Sequence, residues 1–566
     1  MFEKFRSTNE EFAPNGNFLA APYNFFNSLS GTPALLVCFA LGVLSNFSFA
    51  PLNIWPMMMV ALISLIWLID GATRQENPRS AVFWRTLCFA FGQFGIGFHW
   101  VAFAFLVDSK AHAGFVWLSM LLPLTIAVIW AALMRVAINF WVSGPARVAI
   151  FALTIFAAEW VRGHIFGGFP WNIPAMVWTP GEAVSQTASV FGVWGLSLLT
   201  LAFFSAPAAL CDGRTQVGSK MGGVGRSLPI ILVAVVFGCA WGWGSSRLSD
   251  AVDEISGPEV RLVDVGVPQD EKFKPEVRQM VLRRYLELTE PDTGTNPRIV
   301  IWPEGAVPYA LLQYPDALDP VSANLGARKL IVGTSFVNRQ FHPERWFNSL
   351  AVLSQESSVA EAIYYKHRLV PFGEMVPFRS LASRLGINAL QQIAEAGFYA
   401  GPPPAPVSVE GIPDFQPLIC YEALFPGLLP RRIEELGVAG VESDVAYERA
   451  DWIINISIDS WFGPLWAPSQ HFEHAKYRAI EEGLPMARVA SRGISGIVDG
   501  YGRVTALAES PDFDHYPEDP KGWKSRILDS NIPNSLLPTI YSRHREVLVL
   551  GLIFILIVGW VTLPKH

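Results

Sequence analysis

Charge is scarce in this chain, and cysteine is scarcer. Only 16% of its 566 residues are Asp, Glu, Lys or Arg, against about 25% in an ordinary soluble protein, which excludes a globule wetted on all sides. Net charge is −7 and the pI is near 5.9, so the basic footprint of a nucleic-acid partner is missing. Among the five cysteines there is no pair at metal-ligand spacing, and no His-Glu-x-x-His run occurs. His471 and His474, three apart on one helix, therefore read as a polar helix face and not as metal ligands. Gly222-Gly-Val-Gly225 follows no strand and lacks the setting of a phosphate loop. Cys38, Cys88, Cys211 and Cys239 lie in apolar stretches, and Cys420 alone lies in polar sequence. A lone thiol in an oxidising compartment is a liability unless it does chemistry, which makes Cys420 a candidate nucleophile.

What is present is apolar sequence, unevenly spread: 51% hydrophobic residues and a mean hydropathy of +0.31. A helix crosses the hydrocarbon core with about 20 mostly apolar residues. Seven segments before residue 250 approach this length: 33–51, 54–69, 87–106, 114–134, 149–169, 184–210 and 228–243; an eighth is 547–563. Positive charge is retained in the cytoplasm. With the N-terminus inside, one side holds Lys4 and Arg6, then Arg74, Arg79 and Arg85, then Arg135 and Arg147, then Arg214, Lys220 and Arg226, and finally Lys565. The other side holds little beyond Lys110 and Arg162. The expected organisation is a cytoplasmic tail (1–32), a membrane domain of seven transmembrane helices (33–246), a polar domain outside the cytoplasm (247–546), and a last helix with a short tail (547–566). The tail lacks a cleavable-signal pattern, so the first span is expected to serve as an uncleaved targeting signal.

Polar residues inside a membrane are costly and face a partner or a cavity. Glu159, Arg162 and His164 sit near the outer end of the fifth span, where an internal ion pair and a functional role are equally open. No ion relay or pair of broken helices argues for a transporter.

The polar domain has short, β-branched apolar runs at 260–265, 299–302, 330–335, 349–353, 416–420 and 452–458, which read as buried strands. Amphipathic helical stretches at 275–289 and 468–482 alternate with them, favouring a layered α/β domain. Three chemical residues stand at the ends of separate runs. Glu304 follows Ile299-Val-Ile-Trp-Pro; Lys366 ends Tyr364-Tyr, with Glu374 in the Gly/Pro-rich loop beyond; Cys420 ends Gln416-Pro-Leu-Ile. A thiol is mostly protonated at neutral pH, so a carboxylate can take its proton while a lysine cation steadies the thiolate and a tetrahedral oxyanion. Singly each has a bland explanation as a turn residue, a solvated charge or a small apolar side chain; together they define a candidate site.

This order resembles the nitrilase superfamily. The seven preceding spans and one following narrow the resemblance to the bacterial apolipoprotein N-acyltransferases. It is carried by Phe49-Ala-Pro, Trp55-Pro, Glu159-Trp-Val-Arg-Gly, Gly168-Phe-Pro-Trp, Trp302-Pro-Glu, Val370-Pro-Phe-Gly-Glu374, Cys420-Tyr-Glu and Asp459-Ser-Trp-Phe-Gly463. The resemblance implies a nitrilase-like αββα sandwich with a Glu304, Lys366, Cys420 catalytic triad. It implies Glu374, Tyr421, Glu422 and Asn348 as supporting residues, and Trp461, Phe462 and Phe273 at the substrate entrance. The family often has tryptophan where Phe273 stands and asparagine where Ile458 stands, so the roles of those side chains do not transfer. Gly437–Glu448 is expected to be a surface loop. The activity implied is acyl transfer from a membrane glycerophospholipid to the α-amino group of a diacylglyceryl-modified apolipoprotein, by way of a Cys thioester and without metal or organic cofactor. The implied location is the bacterial inner membrane with the catalytic domain on the periplasmic side. A membrane-anchored amidase using water as acceptor is the alternative.

Overall fold

A computed structural model describes residues 19–106, 113–142, 144–211, 223–251, 255–290, 297–355, 359–371, 373–375, 397–429, 449–511 and 518–562. The expected surface loop Gly437–Glu448, the first 18 residues and the head of the Gly222–Gly225 run lie outside them.

All eight apolar segments form helices: Gly31–Ser45, Pro56–Ala72, Pro78–Gly97, Leu121–Ala137, Ala146–His164, Ala188–Ser205, Gly223–Ser249 and Val547–Thr562. Proline opens two of them, where its missing N–H costs nothing. Among the described residues, five helical segments are long and apolar enough to cross a membrane: Gly31–Ser48, Ala113–Phe140, Ala146–Gly167, Val184–Leu210 and Ile230–Ser249. Pro56–Ala72 and Val547–Thr562 are apolar but shorter. The third expected span needs correction: the helix covers Pro78–Gly97 instead of 87–106. Arg79 and Arg85 lie within it: Arg85 is buried and donates to the main-chain oxygens of Leu68 and Leu29, and Arg79 donates to Asn139 Oδ1 at an exposed position. Helices Gly31–Ser45 and Pro78–Gly97 meet backbone to backbone, since a Cβ on Gly42 would stand 1.9 Å from the Phe89 oxygen, a contact that small residues permit in membrane bundles.

The polar part is built from two six-stranded sheets. The first has the order β12 (Arg526–Asn531), β1 (Glu259–Asp264), β2 (Ile299–Trp302), β3 (Lys329–Asn338), β4 (Arg345–Leu353) and β5 (Ala362–Tyr365). The second has β11 (Val504–Leu507), β10 (Gly496–Val498), β9 (Met486–Ser491), β8 (Trp452–Ile458), β7 (Ile412–Ile419) and β6 (Val407–Val409). In each, three central strands run parallel and the flanking strands are antiparallel.

The two-residue side-chain period of a strand explains the layering. Ile299 and Ile301 join Phe415, Ile419, Ile454 and Ile456 in a core between the sheets. Val300 and Trp302 face the other way, against Val281, Tyr285 and Leu288 of helix Arg278–Thr289 and Val321 and Leu325 of helix Pro315–Leu325. Leu418 and Ile453 meet Phe472, Ala475 and Ala479 of helix Ala467–Glu482 on the outer face of the second sheet. The result is the αββα sandwich. Tyr421, Leu424, Phe425, Phe462, Ala467, Tyr477 and Ile480 of this sandwich are part of the same buried cluster as the membrane helices, so the two parts share one continuous core.

Candidate active site

The first residue of interest is delivered by β2. Glu304 follows it by two positions and is buried. It can sit there because β3 carries glycine opposite: a Cβ on Gly333 would lie 2.4 Å from the Glu304 Cα. Three donors meet the carboxylate. Asn348 Nδ2 on β4 (2.6 Å) and Lys366 Nζ (3.2 Å) donate to Oε1, and the main-chain N–H of Ile458 donates to Oε2 (3.0 Å). The family's asparagine is therefore not required at position 458 for this contact, which the backbone makes at the end of β8.

Lys366 leaves β5 and is 1% exposed. Its ammonium also donates to Glu374 Oε1 (2.8 Å), and Asn348 Nδ2 bridges to the same oxygen (2.7 Å). Glu374 is fixed in turn by the N–H of Val370 (2.8 Å) on Oε2. Burial alone would lower the lysine's pKa, but Glu304, Glu374 and Cys420 hold it well above the ordinary lysine range, so Lys366 is a permanent cation.

Cys420 ends β7 and opens the turn Cys420–Leu424 with φ of +50°, a conformation costing a non-glycine residue roughly 1–2 kcal/mol. Its thiol is pushed up first by burial and then by the charge of Glu304; Lys366 pulls it back. The resting sulfur is thus a protonated thiol beside a carboxylate able to take the proton. Glu422 explains how the strained turn is held. Its buried carboxylate accepts from Ile419 N (2.8 Å), His367 N (2.8 Å), Arg368 N (3.1 Å) and Tyr364 Oη (2.9 Å). It ties the Cys420 turn to the segment carrying Lys366.

The remaining expected residues are spread outward. Tyr421 points to the membrane helices, where its hydroxyl donates to the Gly168 oxygen and its ring stacks on Phe169. Phe462 is buried against Trp100 (4.8 Å), Trp171 (5.3 Å) and His471 (5.3 Å). Trp461 and Phe273 are exposed, at 37% and 56%; Phe273 follows the short turn Gln269–Lys272. Glu159 and Arg162 form the internal ion pair. Arg162 also donates to the oxygens of Phe169 (2.6 Å) and Trp171 (2.9 Å), which shapes the loop below the site. That loop docks through Trp171 Nε1 to Gln470 (2.9 Å) and Asn172 N to His474 Nε2 (3.1 Å). Burial and the charge of Arg478 hold the His474 pKa well down, leaving that nitrogen free to accept.

Four contributors escaped the sequence reading: the Ile458 N–H, Ser457, Gly333 and the buried set Asp459, His471 and Arg488. Glycine inside an apolar run is the one signal that marks a close approach in advance. His471 and His474, read as a polar helix face, are both buried.

A carboxylate, a lysine and a cysteine gathered between two sheets, on a platform of apolar helices, define a membrane-associated enzyme with a carbon-nitrogen hydrolase domain. Residues 281–512 match the carbon-nitrogen hydrolase family, and residues 41–206 match the apolipoprotein N-acyltransferase N-terminal domain. Proteins named apolipoprotein N-acyltransferase are similar over nearly the whole chain. The one from Caulobacter vibrioides is 35% identical over 537 residues, 91% of this chain and 92% of its own. Those from Brucella suis biovar 1 (33% identical, 91% and 98% covered) and Rhodopseudomonas palustris (31%, 91% and 92%) agree. Among solved structures, an amidase from Nesterenkonia sp. is similar at 15% identity and a TM-score of 0.30, over 53% of this chain and 97% of that one. The chain belongs to the apolipoprotein N-acyltransferase family.

Proposed function

We propose that this protein transfers an acyl chain from a membrane glycerophospholipid to the α-amino group of a diacylglyceryl-modified N-terminal cysteine, with Cys420 as the acyl carrier. The observation that carries the proposal is the joint action of Glu304 and Lys366 on one buried thiol. A thiol at its ordinary pKa of 9.0 is only about 1% ionised at pH 7, so a base at the sulfur is required. Glu304 takes the Sγ proton as sulfur attacks the ester carbonyl, and Lys366 faces the oxyanion. Collapse breaks the ester C–O bond; the departing lysophospholipid alkoxide takes the proton from Glu304, leaving a thioester. The acceptor's neutral amine then attacks, Glu304 accepts an amine proton, the C–S bond breaks, and that proton returns to sulfur. Asn348 and Glu374 keep the carboxylate and ammonium in register.

Excess positive charge in alternate loops supports placing the catalytic domain outside the cytoplasm. The test uses purified protein and phospholipid. With donor alone, a hydroxylamine-sensitive acyl adduct should accumulate on Cys420 with little free fatty acid, and a diacylglyceryl-cysteine peptide should discharge it as N-acyl peptide. Rapid fatty-acid release, with no acylated peptide, would point to water as the acceptor and overturn the proposal.

A further inference from the structure

We infer that His471, oriented by Asp459, is a positioning residue for the nucleophile: it holds the carbonyl oxygen of Cys420 and so fixes the backbone that aims the thiol. The inference rests on Cys420 being the acyl carrier. His471 lies on helix Ala467–Glu482 and is 0% exposed. Its Nε2 is 3.2 Å from the Cys420 oxygen and its Nδ1 is 2.9 Å from Asp459 Oδ1. The Cys420 oxygen can only accept. Asp459 likewise only accepts, because Arg488, His471 and Ser457 outweigh its burial and hold its pKa at about 2. Nε2 therefore donates to the Cys420 oxygen, and Nδ1 faces Asp459 Oδ1.

The surroundings hold the ring in place. Arg488 Nη2, 3.1 Å from His471 Nδ1, donates to Asp459 Oδ2 at 2.9 Å, and Ser457 donates to Oδ1 at 2.7 Å. Trp171 stacks on the imidazole at 5.7 Å and Phe462 meets it edge-on at 5.3 Å, which fixes the plane of the ring.

A residue at φ of +50° stays there only when its neighbours over-determine it. Glu422 holds the N–H of Ile419 on one side of Cys420, and His471 holds the Cys420 oxygen on the other. Without the second hold the turn can relax, and misplacement by about 1 Å costs a catalytic step about a hundredfold. The contact also joins the nucleophile to the membrane domain, since the same helix turn carries Gln470 to Trp171 and His474 to Asn172.

The test compares full-length His471→Phe, His471→Gln and His471→Asn with the parent enzyme, reading acylation of Cys420 by a synthetic diacyl glycerophospholipid. Alkylation of the same thiol by iodoacetamide is measured alongside. Phe should slow acylation by about a hundredfold while alkylation stays within about twofold, because a small electrophile needs no aimed backbone. Gln, whose amide N–H reaches the Cys420 oxygen, should recover at least about tenfold of the loss. Unfolding would instead expose the thiol and speed alkylation. Wild-type acylation in H471F, or a Gln variant no better than Phe, overturns the inference. If H471F does not insert, Gln against Asn decides, since the shorter amide cannot reach; equal rates overturn it. Cys420→Ala, run in parallel, separates the two levels. If C420A still transfers acyl groups, the acyl-carrier assignment falls; if it is inactive while H471F is normal, only the role of His471 falls.

Discussion

Gly333→Ala is a one-methyl perturbation whose effect can be worked from the backbone. A Cβ at position 333 would stand 2.4 Å from the Glu304 Cα and 2.5 Å from the Pro303 oxygen, where ordinary contact begins at 3.4 Å. Relief therefore requires β3 and the Glu304 turn to separate by about 1 Å. β3 cannot withdraw, because Gly333 pairs with Leu350 on β4 and accepts from Ala306 N at 3.0 Å on the Glu304 side. The turn must move instead, taking Glu304 from Asn348, Lys366 and the Ile458 N–H. Overpacking of this kind costs about 1–3 kcal/mol of stability, while displacement of the base by about 1 Å lowers the acylation rate about a hundredfold. Acyl-enzyme formation measured under single-turnover conditions reads the second quantity, and a thermal melt reads the first. Gly242→Ala, where nothing lies within 4 Å of the added methyl, is the control and should leave both unchanged. A G333A enzyme that acylates Cys420 at the parent rate would refute the claim that β3 sets the position of Glu304.

Glu304→Gln and Lys366→Met should move the Cys420 thiol in opposite directions, because after burial the charge of Glu304 is the main influence raising its pKa and that of Lys366 the main one lowering it. Iodoacetamide should alkylate Cys420 faster in E304Q and slower in K366M at a fixed pH, as read by peptide mass, while acylation by phospholipid drops at least about a hundredfold in both; equal alkylation rates would refute the electrostatic assignment. Asp459 supplies an acid-stability prediction: despite burial, Arg488 and His471 hold its pKa at about 2 against an ordinary 3.8. A depressed carboxylate stabilises the fold fully above its unfolded pKa, and that stability is lost as pH falls from about 4 to about 2. It is on the order of 2 kcal/mol, so Asp459→Asn should flatten the denaturation midpoint across that window, and an unchanged slope would count against it.

Legibility in the sequence followed burial. Strands Ile299–Trp302 and Trp452–Ile458 can be read to the residue because both faces are covered, leaving isoleucine-rich runs. Strand Arg526–Asn531 is half-buried at a sheet edge, and its mixed polar sequence carries no such run. The third membrane helix begins earlier than hydropathy indicates because Arg85 finds carbonyl partners, and a hydropathy sum cannot register a satisfied guanidinium. Glu304, Lys366 and Cys420, the proposed catalytic set, each stand at the end of an apolar strand that the sequence marks. The Ile458 N–H was not legible, since a main-chain donor is present at every non-proline position and only tertiary structure decides what it meets. His471 failed for a related reason: its spacing to His474 describes a helix face but not what that face is pressed against.

The joining of the two domains also follows from what an acyl donor demands. Exposing an acyl chain of about sixteen carbons to water costs roughly 12 kcal/mol at about 0.8 kcal/mol per methylene. A soluble domain bound loosely to the surface would have to overcome most of that at each turnover. Here Tyr421, immediately after Cys420, and Phe425 and Phe462 are buried in the same cluster as Trp100, Trp171 and Phe98 of the membrane domain, so the apolar core of the membrane domain extends to the residue beside Cys420. The Glu159–Arg162 pair fits the same logic. A buried ion pair gives little net stability compared with an apolar replacement, but Arg162 also satisfies the carbonyls of Phe169 and Trp171, and Trp130 donates to Glu159 at 3.0 Å. The pair shapes the loop that carries Gly168 to Tyr421 and Trp171 to His471, and through it the membrane domain is fitted to the Cys420 turn.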